Sequence, residues 1–194
     1  MGAMHSNDVG DGFCAVVLAG GRAARLGGVD KAGIELRGRT LLDHALETVV
    51  DAAEVVVVGE QVPTDRPVTF VREEPRFGGP VAGLLTGRDA LLRQPRWLAV
   101  VAVDMPQLGP QTLARLGAAA HEHDGAVLVG PDGRRQAALW LRVARLDAVR
   151  PGREQQHDLA LRALLAPLDL AEVPAQGEEH RDVDTWADLR DLAD

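Results

Sequence analysis

The residues from Phe13 to Leu36 begin with an uninterrupted apolar run, Cys14 to Ala19, which ends at Gly20-Gly21. An apolar run without alternating polar positions is typical of a strand that is buried on both faces of a parallel sheet. A glycine-rich segment leaving such a strand can bring backbone N–H groups against a phosphate, because no Cβ stands between them. Arg25 and Lys31 follow and supply positive charge. The stretch therefore predicts a loop that binds a nucleoside triphosphate.

Apolar runs of strand length recur along the chain and alternate with segments of helical periodicity. The later strands are predicted at Val55–Val58, Val68–Val71, Leu98–Val103, Gly125–Gly130, Ala137–Leu141 and Leu170–Val173. This alternation predicts an α/β fold, a three-layer doubly wound sandwich with a mostly parallel sheet and right-handed crossovers. The turn sequence Pro131-Asp132-Gly133 predicts a hairpin, so one strand should run antiparallel and the sheet should be mixed.

Helix boundaries are marked by capping residues. Thr40 is expected to cap a helix, with Asp43 completing a capping box. Pro80 suits the first turn of another helix, which is expected to continue to Leu92. Further helices are expected from Pro110 to Ala120, from Leu159 to Leu165 and from Trp186 to Leu192.

The charge balance limits the classes of partner. The formal net charge is −8 and the pI is about 5.2. Without a basic patch to offset this charge, neither a nucleic acid nor an anionic membrane is an expected partner. An anionic small molecule would need cations concentrated locally, or a metal ion.

One domain is expected, covering residues 12–194, after a disordered tag or N-terminal segment at residues 1–11. The chain has 194 residues, of which 46% are hydrophobic, so it can bury a substantial core. Its one cysteine, Cys14, cannot form an intramolecular disulfide. The sequence contains neither a secretory signal nor a long apolar run, so a cytoplasmic location is expected.

Several enzyme classes lack their motifs in this chain. Neither Gly-Lys-Ser nor Gly-Lys-Thr occurs, which argues against a P-loop enzyme, and G-x-G-x-x-G does not fit the loop after the first strand. Neither a G-x-S-x-G elbow nor a Ser-His-Asp arrangement indicates acyl transfer.

The first loop combines Leu18-Ala19-Gly20-Gly21, Arg25-Leu26-Gly27 and Asp30-Lys31. This resembles the L-A-G-G-x-x-x-R-M-G signature, followed by D-K, of the nucleotidyltransferases that build molybdenum cofactor dinucleotides, most of all the MobA-type guanylyltransferases, with leucine replacing methionine. The resemblance implies a Rossmann-like nucleotidyltransferase fold and nucleotide contacts from Leu18, Ala19, Gly20 and Gly21. It also implies that Arg25 holds the pyrophosphate half of the nucleotide and that Lys31 neutralises the α-phosphate. The alternative reading is a simple strand-to-helix turn.

Two aspartates are expected to hold a magnesium ion. Asp104 follows the strand Leu98–Val103 directly, and ligands of open parallel sheets bind beyond the carboxyl ends of strands. It matches the D-M-P segment that holds Mg²⁺ in the family, although an aspartate there can also cap a turn. The segment Asp182-Val183-Asp184-Thr185 resembles the N-x-N-T-P-E segment of MobA-type enzymes, with aspartates for asparagines. Asp184 would be the second carboxylate on the metal, or the cap of the last helix, or both.

The remaining expected contacts also come from the resemblance. Glu73 stands where many members have aspartate, and Pro80 to Gly83 resembles the G-P-L-A-G segment that lies against the base. Gln136 and Arg162 fall near segments that contact the acceptor. However, no proline follows Gln136 as it does in relatives, and Arg162 could equally be an exposed helical arginine.

The implied reaction is transfer of GMP from GTP to the terminal phosphate of molybdenum-loaded molybdopterin, with release of pyrophosphate. The motif Leu-Ala-Gly-Gly resembles that of the guanylyltransferases and so favours guanine as the base. The segment Asp182-Val183-Asp184-Thr185 instead resembles that of the cytidylyltransferases. A molybdopterin cytidylyltransferase, a sugar-phosphate nucleotidyltransferase of the same fold and a non-catalytic nucleotide-binding regulator therefore stay open as alternatives. The pathway also makes an accessory protein a plausible partner.

Overall fold

The computed structural model describes residues 12–20, 30–73 and 78–193 of the chain. The expectations for residues 1–11, Gly21 and Arg25 lie outside these residues. The strands are β1 (Cys14–Leu18), β2 (Glu35–Leu36), β3 (Arg39–Thr40), β4 (Val55–Val58), β5 (Thr69–Val71), β6 (Trp97–Ala102), β7 (Gly125–Val129), β8 (Arg135–Arg142) and β9 (Leu170–Pro174). The α-helices are α1 (Leu41–Thr48), α2 (Gly79–Asp89), α3 (Pro110–Ala119), α4 (Val143–Ala148), α5 (Leu161–Leu165) and α6 (Trp186–Ala193).

In the described part of the chain, seven strands form one sheet in the order β5-β4-β1-β6-β8-β7-β9, and β2 pairs with β3 separately. Of these seven strands, β8 alone runs antiparallel, and it pairs with β6 on one side and β7 on the other. The turn between β7 and β8 is closed by the Gly130 amide on the Arg134 carbonyl, 2.9 Å, and Gly133 adopts a φ of 78°. Glycine tolerates this left-handed conformation at little cost. The prediction of a mixed, mostly parallel sheet is confirmed.

The helices cover both faces of the sheet, because successive residues of each strand point to opposite faces. In β1, Val17 packs into the core that includes residues of α1, α3 and α6, whereas Val16 packs into the core that includes residues of α2, α4 and α5. The predicted three-layer sandwich is therefore confirmed. None of the helices in the described part of the chain is both long and apolar enough to cross a membrane.

Helix α2 lies very close to the sheet. A Cβ at Gly87 would lie 2.6 Å from Val16 Cγ1, so only glycine fits this contact. The helix ends at Asp89, not at Leu92 as expected. The Glu54 carboxylate accepts hydrogen bonds from the amides of Leu92 and Arg93, both at 2.9 Å, and this holds the chain in a turn. The spacing of the leucines predicted a helix that is too long, because the spacing does not reveal a contact from a residue distant in sequence.

The carboxyl ends of β1, β4 and β6 meet at one edge of the sheet, since the three strands are parallel neighbours. The amides of Ala19 and Gly20 both donate to the Val58 carbonyl, at 2.9 and 2.8 Å. Beyond β6, the Val103 amide donates to the Leu18 carbonyl at 3.0 Å. These bonds extend the pairing past the strand ends and fix the backbone that carries the candidate site.

Candidate active site

A pocket of about 570 Å³ opens at the carboxyl edge of β1, β4 and β6. Several of the residues expected to bind the nucleotide or the acceptor line it: Leu18, Gly20, Glu73, Pro80, Gly83, Asp104 and Gln136. The topology thus brings together residues that are spread over most of the chain. This is the position at which open α/β sheets bind ligands.

Beside the pocket, Lys31 joins the two aspartates that were expected to hold the metal. Its Nζ lies 3.0 Å from Asp104 Oδ2 and 2.7 Å from Asp184 Oδ1. Lys31 begins a short 3-10 helix, Lys31–Gly33. Asp30 caps this helix, since its carboxylate accepts a hydrogen bond from the Ala32 amide at 3.2 Å. Ala32 is fully buried, so this turn is anchored in the core. As a result the lysine side chain, only 14% exposed, is held against the carboxylates.

Asp184 is held near Asp104 by a backbone hydrogen bond of its neighbour Val183. The Val183 amide donates to the Asp104 carbonyl at 2.8 Å, and the Val183 side chain is fully buried. Residues 182–184 therefore lie along the end of β6. The last helix is capped by Thr185, whose hydroxyl accepts from the Asp188 amide while Asp188 Oδ2 accepts from the Thr185 amide. The alternative that Asp184 is the cap is wrong, because Thr185 takes that role and the Asp184 carboxylate faces Lys31.

The electrostatics of the cluster favour a cation. Burial alone lowers the pKa of Lys31, but the neighbouring Asp104 and Asp184 outweigh it, and the pKa lies above its ordinary value. Burial raises the pKa of Asp182, and the charges of Asp184 and Asp104 raise it further. Lys31 is therefore protonated at neutral pH, and its ammonium lies between the carboxylates of Asp104 and Asp184.

Asp104 and Asp184 form a donor set that fits magnesium. Mg²⁺ prefers oxygen ligands and is usually held by one or two protein carboxylates together with waters and substrate phosphates. Within the described residues, no group of three or more histidines, cysteines, aspartates and glutamates is arranged to hold a metal. Two converging carboxylates therefore suit an ion shared with a phosphate-bearing substrate better than a metal held by the protein alone.

Around Gly20 the pocket combines small residues with the carboxylate of Glu73. A Cβ at Gly20 would lie 3.8 Å from Glu73 Oε2, so the missing side chain leaves space beside this carboxylate. Gly83 packs against Leu18 and Val58, where a Cβ would still have ordinary contacts of 3.5 and 3.7 Å. Because the Gly20 amide is bonded to Val58, Gly20 offers open space at this end of the pocket and not a free amide.

Some of the expected residues are not at the pocket. Ala19 is buried under the strand end, and Arg162 is exposed on α5, outside the pocket lining. Two lining residues, Asp158 and Asp182, were given no role from the sequence. Asp158 has a φ of 55° and its amide donates to the Gly78 carbonyl at 2.8 Å, a contact between distant segments that no local pattern signals. Asp182 lies two residues before Asp184, and this proximity in sequence was the signal that could have indicated a place for Asp182 at the site.

The segment before Asp182 is fastened to α3 by Glu179. Its carboxylate accepts hydrogen bonds from Thr112 Oγ1 and Arg115 Nη2, both at 2.6 Å, and from the Gln176 amide at 2.8 Å. The Glu179 side chain is only 12% exposed. This contact, which the sequence did not indicate, fixes the chain just before the two aspartates of the site.

Comparison with known proteins places the chain in a family. The family model described as MobA-like NTP transferase domain matches residues 15–173. Molybdenum cofactor guanylyltransferase of Shewanella sp. (strain MR-4) is 34% identical over 127 residues, which cover 63% of this chain and 64% of that protein. The protein of the same name from Acidiphilium cryptum (strain JF-5) is 44% identical over 111 residues, covering 54% of this chain and 57% of that protein. The chain thus matches less than two thirds of the length of these relatives.

The fold is also found among solved structures. The molybdopterin-guanine dinucleotide biosynthesis protein A of Archaeoglobus fulgidus superposes with a TM-score of 0.70 at 18% identity, covering 92% of this chain and 96% of that one. At this identity the similarity concerns the fold, whereas the family model matches most of the sequence. The chain therefore belongs to the family of proteins with a MobA-like NTP transferase domain.

Proposed function

We propose that the protein is a molybdenum cofactor guanylyltransferase, which transfers GMP from GTP to the terminal phosphate of molybdenum-loaded molybdopterin and releases pyrophosphate. The observation that carries the proposal is the convergence of Lys31, Asp104 and Asp184 beside the pocket. Family membership and the names of the relatives support the choice of reaction. The same proposal implies a cytoplasmic reaction and an accessory protein that carries the product onward.

The reaction is an in-line displacement at the α-phosphorus of GTP. An oxygen of the acceptor phosphate forms a bond to this phosphorus, the bond to the β-phosphate oxygen breaks, and pyrophosphate leaves with the electron pair. The attacking phosphate is already ionised at neutral pH, so no side-chain base is needed. The barrier is the repulsion between two anions, and it is lowered by positioning and by positive charge.

The residues of the site divide these two tasks, charge neutralisation and positioning. Lys31 would neutralise the charge that grows at the α-phosphate, and Arg25 would hold the pyrophosphate half. Asp104 and Asp184 would hold Mg²⁺, which supplies charge neutralisation at the phosphate oxygens. Gln136, on the pocket wall, would contact the acceptor. Arg162 lies outside the pocket, so its proposed contact would be with the acceptor phosphate beyond the pocket lining.

Glu73 supports guanine as the base. Its carboxylate lines the pocket beside Gly20, and a carboxylate only accepts hydrogen bonds when it is ionised. The pairing edge of guanine offers two donors side by side, N1–H and the N2 amino group. The same edge of cytosine offers one amino group next to an acceptor nitrogen, which a carboxylate repels.

Replacing Glu73 with glutamine is expected to raise the KM for GTP about tenfold, because the amide can accept only one of the two hydrogen bonds and presents a donor to the other. The KM for CTP is expected to stay the same or fall. Steady-state pyrophosphate release with each nucleotide measures both. Glu47, an exposed glutamate on α1, provides the matched Glu47→Gln control, which should behave as the unchanged protein. Equal effects on GTP and CTP would contradict the assignment of Glu73 to the base.

The proposed function is tested by a product assay with GTP, Mg²⁺ and molybdenum-loaded molybdopterin. The expected result is stoichiometric formation of the guanine dinucleotide and pyrophosphate, with CTP and UTP used poorly. Preferential use of CTP would instead identify a cytidylyltransferase. Tight GTP binding without pyrophosphate release, in the presence of the acceptor, would identify a nucleotide-binding regulator.

A further inference from the structure

Lys31 is the only lysine among the 21 lysine and arginine residues of the chain. Its ammonium group donates hydrogen bonds to Asp104 Oδ2 at 3.0 Å and to Asp184 Oδ1 at 2.7 Å. These are the two carboxylates assigned above to the metal. Two cations, the Lys31 ammonium and a divalent ion, would therefore compete for the same carboxylates.

Two carboxylates that converge on one point repel each other unless a positive charge lies between them. In the structure Lys31 supplies that charge, and it is nearly enclosed, with 14% of its side chain exposed. The ammonium uses one oxygen of each carboxylate. A divalent ion bound by the same two carboxylates would lie beside the ammonium, and the two cations would repel each other. Lys31 would then be displaced.

We propose that Lys31 is an intramolecular counter-ion that holds Asp104 and Asp184 in place in the free protein, and that it moves to the phosphates of the nucleotide when a divalent ion binds. This inference rests on the proposed function for the identity of the metal ligands and of the nucleotide. Its consequence is positive coupling. A metal ion alone breaks two ion pairs and leaves the ammonium without a partner, whereas a metal ion together with a nucleotide gives Lys31 a phosphate partner.

The charges of the pocket support this coupling. Among the described residues that line the pocket are four carboxylates, on Glu73, Asp104, Asp158 and Asp182, and neither a lysine nor an arginine. A free triphosphate entering this lining meets charge of its own sign. Release of Lys31 from its carboxylates and neutralisation of these by a metal ion both reduce that repulsion, so nucleotide and metal should enter together.

The residue type also suits a group that changes partners. The ammonium of lysine is a compact charge on a flexible stem, whereas the planar guanidinium of arginine binds carboxylates through two parallel hydrogen bonds. An arginine at this position would hold the carboxylates more firmly and release them less easily.

The test measures binding of Mn²⁺ alone, without nucleotide, by electron paramagnetic resonance of the free ion. Lys31→Met removes the competing charge and is expected to tighten Mn²⁺ binding about tenfold or more. Lys31→Arg keeps the charge and is the matched control, with affinity equal to or weaker than that of the unchanged protein. Unchanged affinity in Lys31→Met, or no Mn²⁺ binding to any of the three proteins, overturns the inference. Pyrophosphate release by the unchanged protein is measured separately, so the proposed function can stand while this inference fails.

A second measurement uses the unchanged protein and does not depend on the folding of a variant. Because the chain has one lysine, ζ-¹⁵N labelling of lysine gives a single side-chain ammonium signal. Mg²⁺ or GTP alone should shift this signal little, and the two together should shift it strongly as Lys31 changes partners. A signal that is unmoved by Mg²⁺ and GTP together shows that Lys31 keeps its carboxylates, which overturns the proposal.

Discussion

Replacing Asp104 with asparagine is expected to reduce GMP transfer on the order of a hundredfold or more, while the protein stays folded. Asp104 lies at the carboxyl edge of the sheet, lines the pocket and pairs with Lys31 at 3.0 Å. Asparagine keeps the shape of the side chain but loses the negative charge that a divalent ion requires. The fold should survive because the backbone contacts of Asp104, including its carbonyl bond to the Val183 amide, are unchanged. Pyrophosphate release and thermal unfolding measure the two quantities.

The control is Asp51→Asn. Asp51 is exposed, after α1, near the amino end of β1 and far from the carboxyl edge of the sheet. It should have full activity and unchanged stability. Normal turnover by Asp104→Asn would mean that the catalytic site has been assigned to the wrong edge of the sheet. Loss of folding would instead mean that Asp104 is chiefly a structural residue.

Replacing Glu179 with glutamine is expected to lower the free energy of unfolding by about 2–4 kcal/mol, the scale for leaving a buried charged partner unpaired. The carboxylate accepts hydrogen bonds from Thr112, Arg115 and Gln176, and glutamine would turn an amino group towards these donors. Glu178→Gln is the matched control, since Glu178 is 56% exposed and pairs only with Arg181 among the described residues. Such a surface pair contributes about 1 kcal/mol or less. Denaturant unfolding distinguishes the two variants.

The effect of Glu179→Gln should depend on pH. Burial alone raises the pKa of Glu179, but the hydrogen bonds from Arg115, Gln176 and Thr112 outweigh it, and the pKa lies below its ordinary value of 4.5. A carboxylate with a lowered pKa stabilises the fold above its unfolded-state value, and this contribution is lost as the pH falls through the folded-state value. The stability difference between the two proteins should therefore be full at pH 7 and shrink in acid below about pH 4.5. A difference that is constant over this range would contradict the role of the Glu179 charge.

Glu179→Gln should also weaken catalysis, although Glu179 does not line the pocket. The residue fastens the chain just before Asp182 and Asp184 to α3, and a looser attachment lets Asp184 drift from Lys31. This predicts a smaller loss of turnover than in Asp104→Asn, together with weaker Mn²⁺ binding in the Lys31→Met background.

The elements that the sequence predicts well are those whose signals are local. The Val55–Val58 run became a fully buried strand, and Thr40 with Asp43 formed the expected capping box, with bonds of 3.0 and 3.1 Å. The hairpin turn at Pro131-Asp132-Gly133 reversed the chain as its residues require. Each of these three elements depends on residues that are close together in the sequence, so their spacing can be read from the sequence alone.

The end of α2 and the role of Asp184 show where this reasoning stops. Leu92 continues the apolar spacing of α2 but is 89% exposed, because the Glu54 carboxylate binds the amides of Leu92 and Arg93 and bends the chain there. Asp184 precedes a helix and could have capped it, but Thr185 and Asp188 cap this helix through reciprocal hydrogen bonds. In each case the local pattern allowed two outcomes. A contact from a distant residue decided the first, and a neighbouring pair of residues decided the second.

The sequence by itself determined the layered α/β architecture, the strand that carries the first loop, and the chemical types available at its edge. These follow from periodicity, turn residues and composition, which are properties of short segments. Only the tertiary structure decided that Lys31 would lie between Asp104 and Asp184, that the Glu73 carboxylate would lie beside Gly20 in the pocket, and that Glu179 would fasten the chain before Asp182. These contacts join residues far apart in the chain, and the order in which parallel strands pair, which no single segment encodes, brings them together.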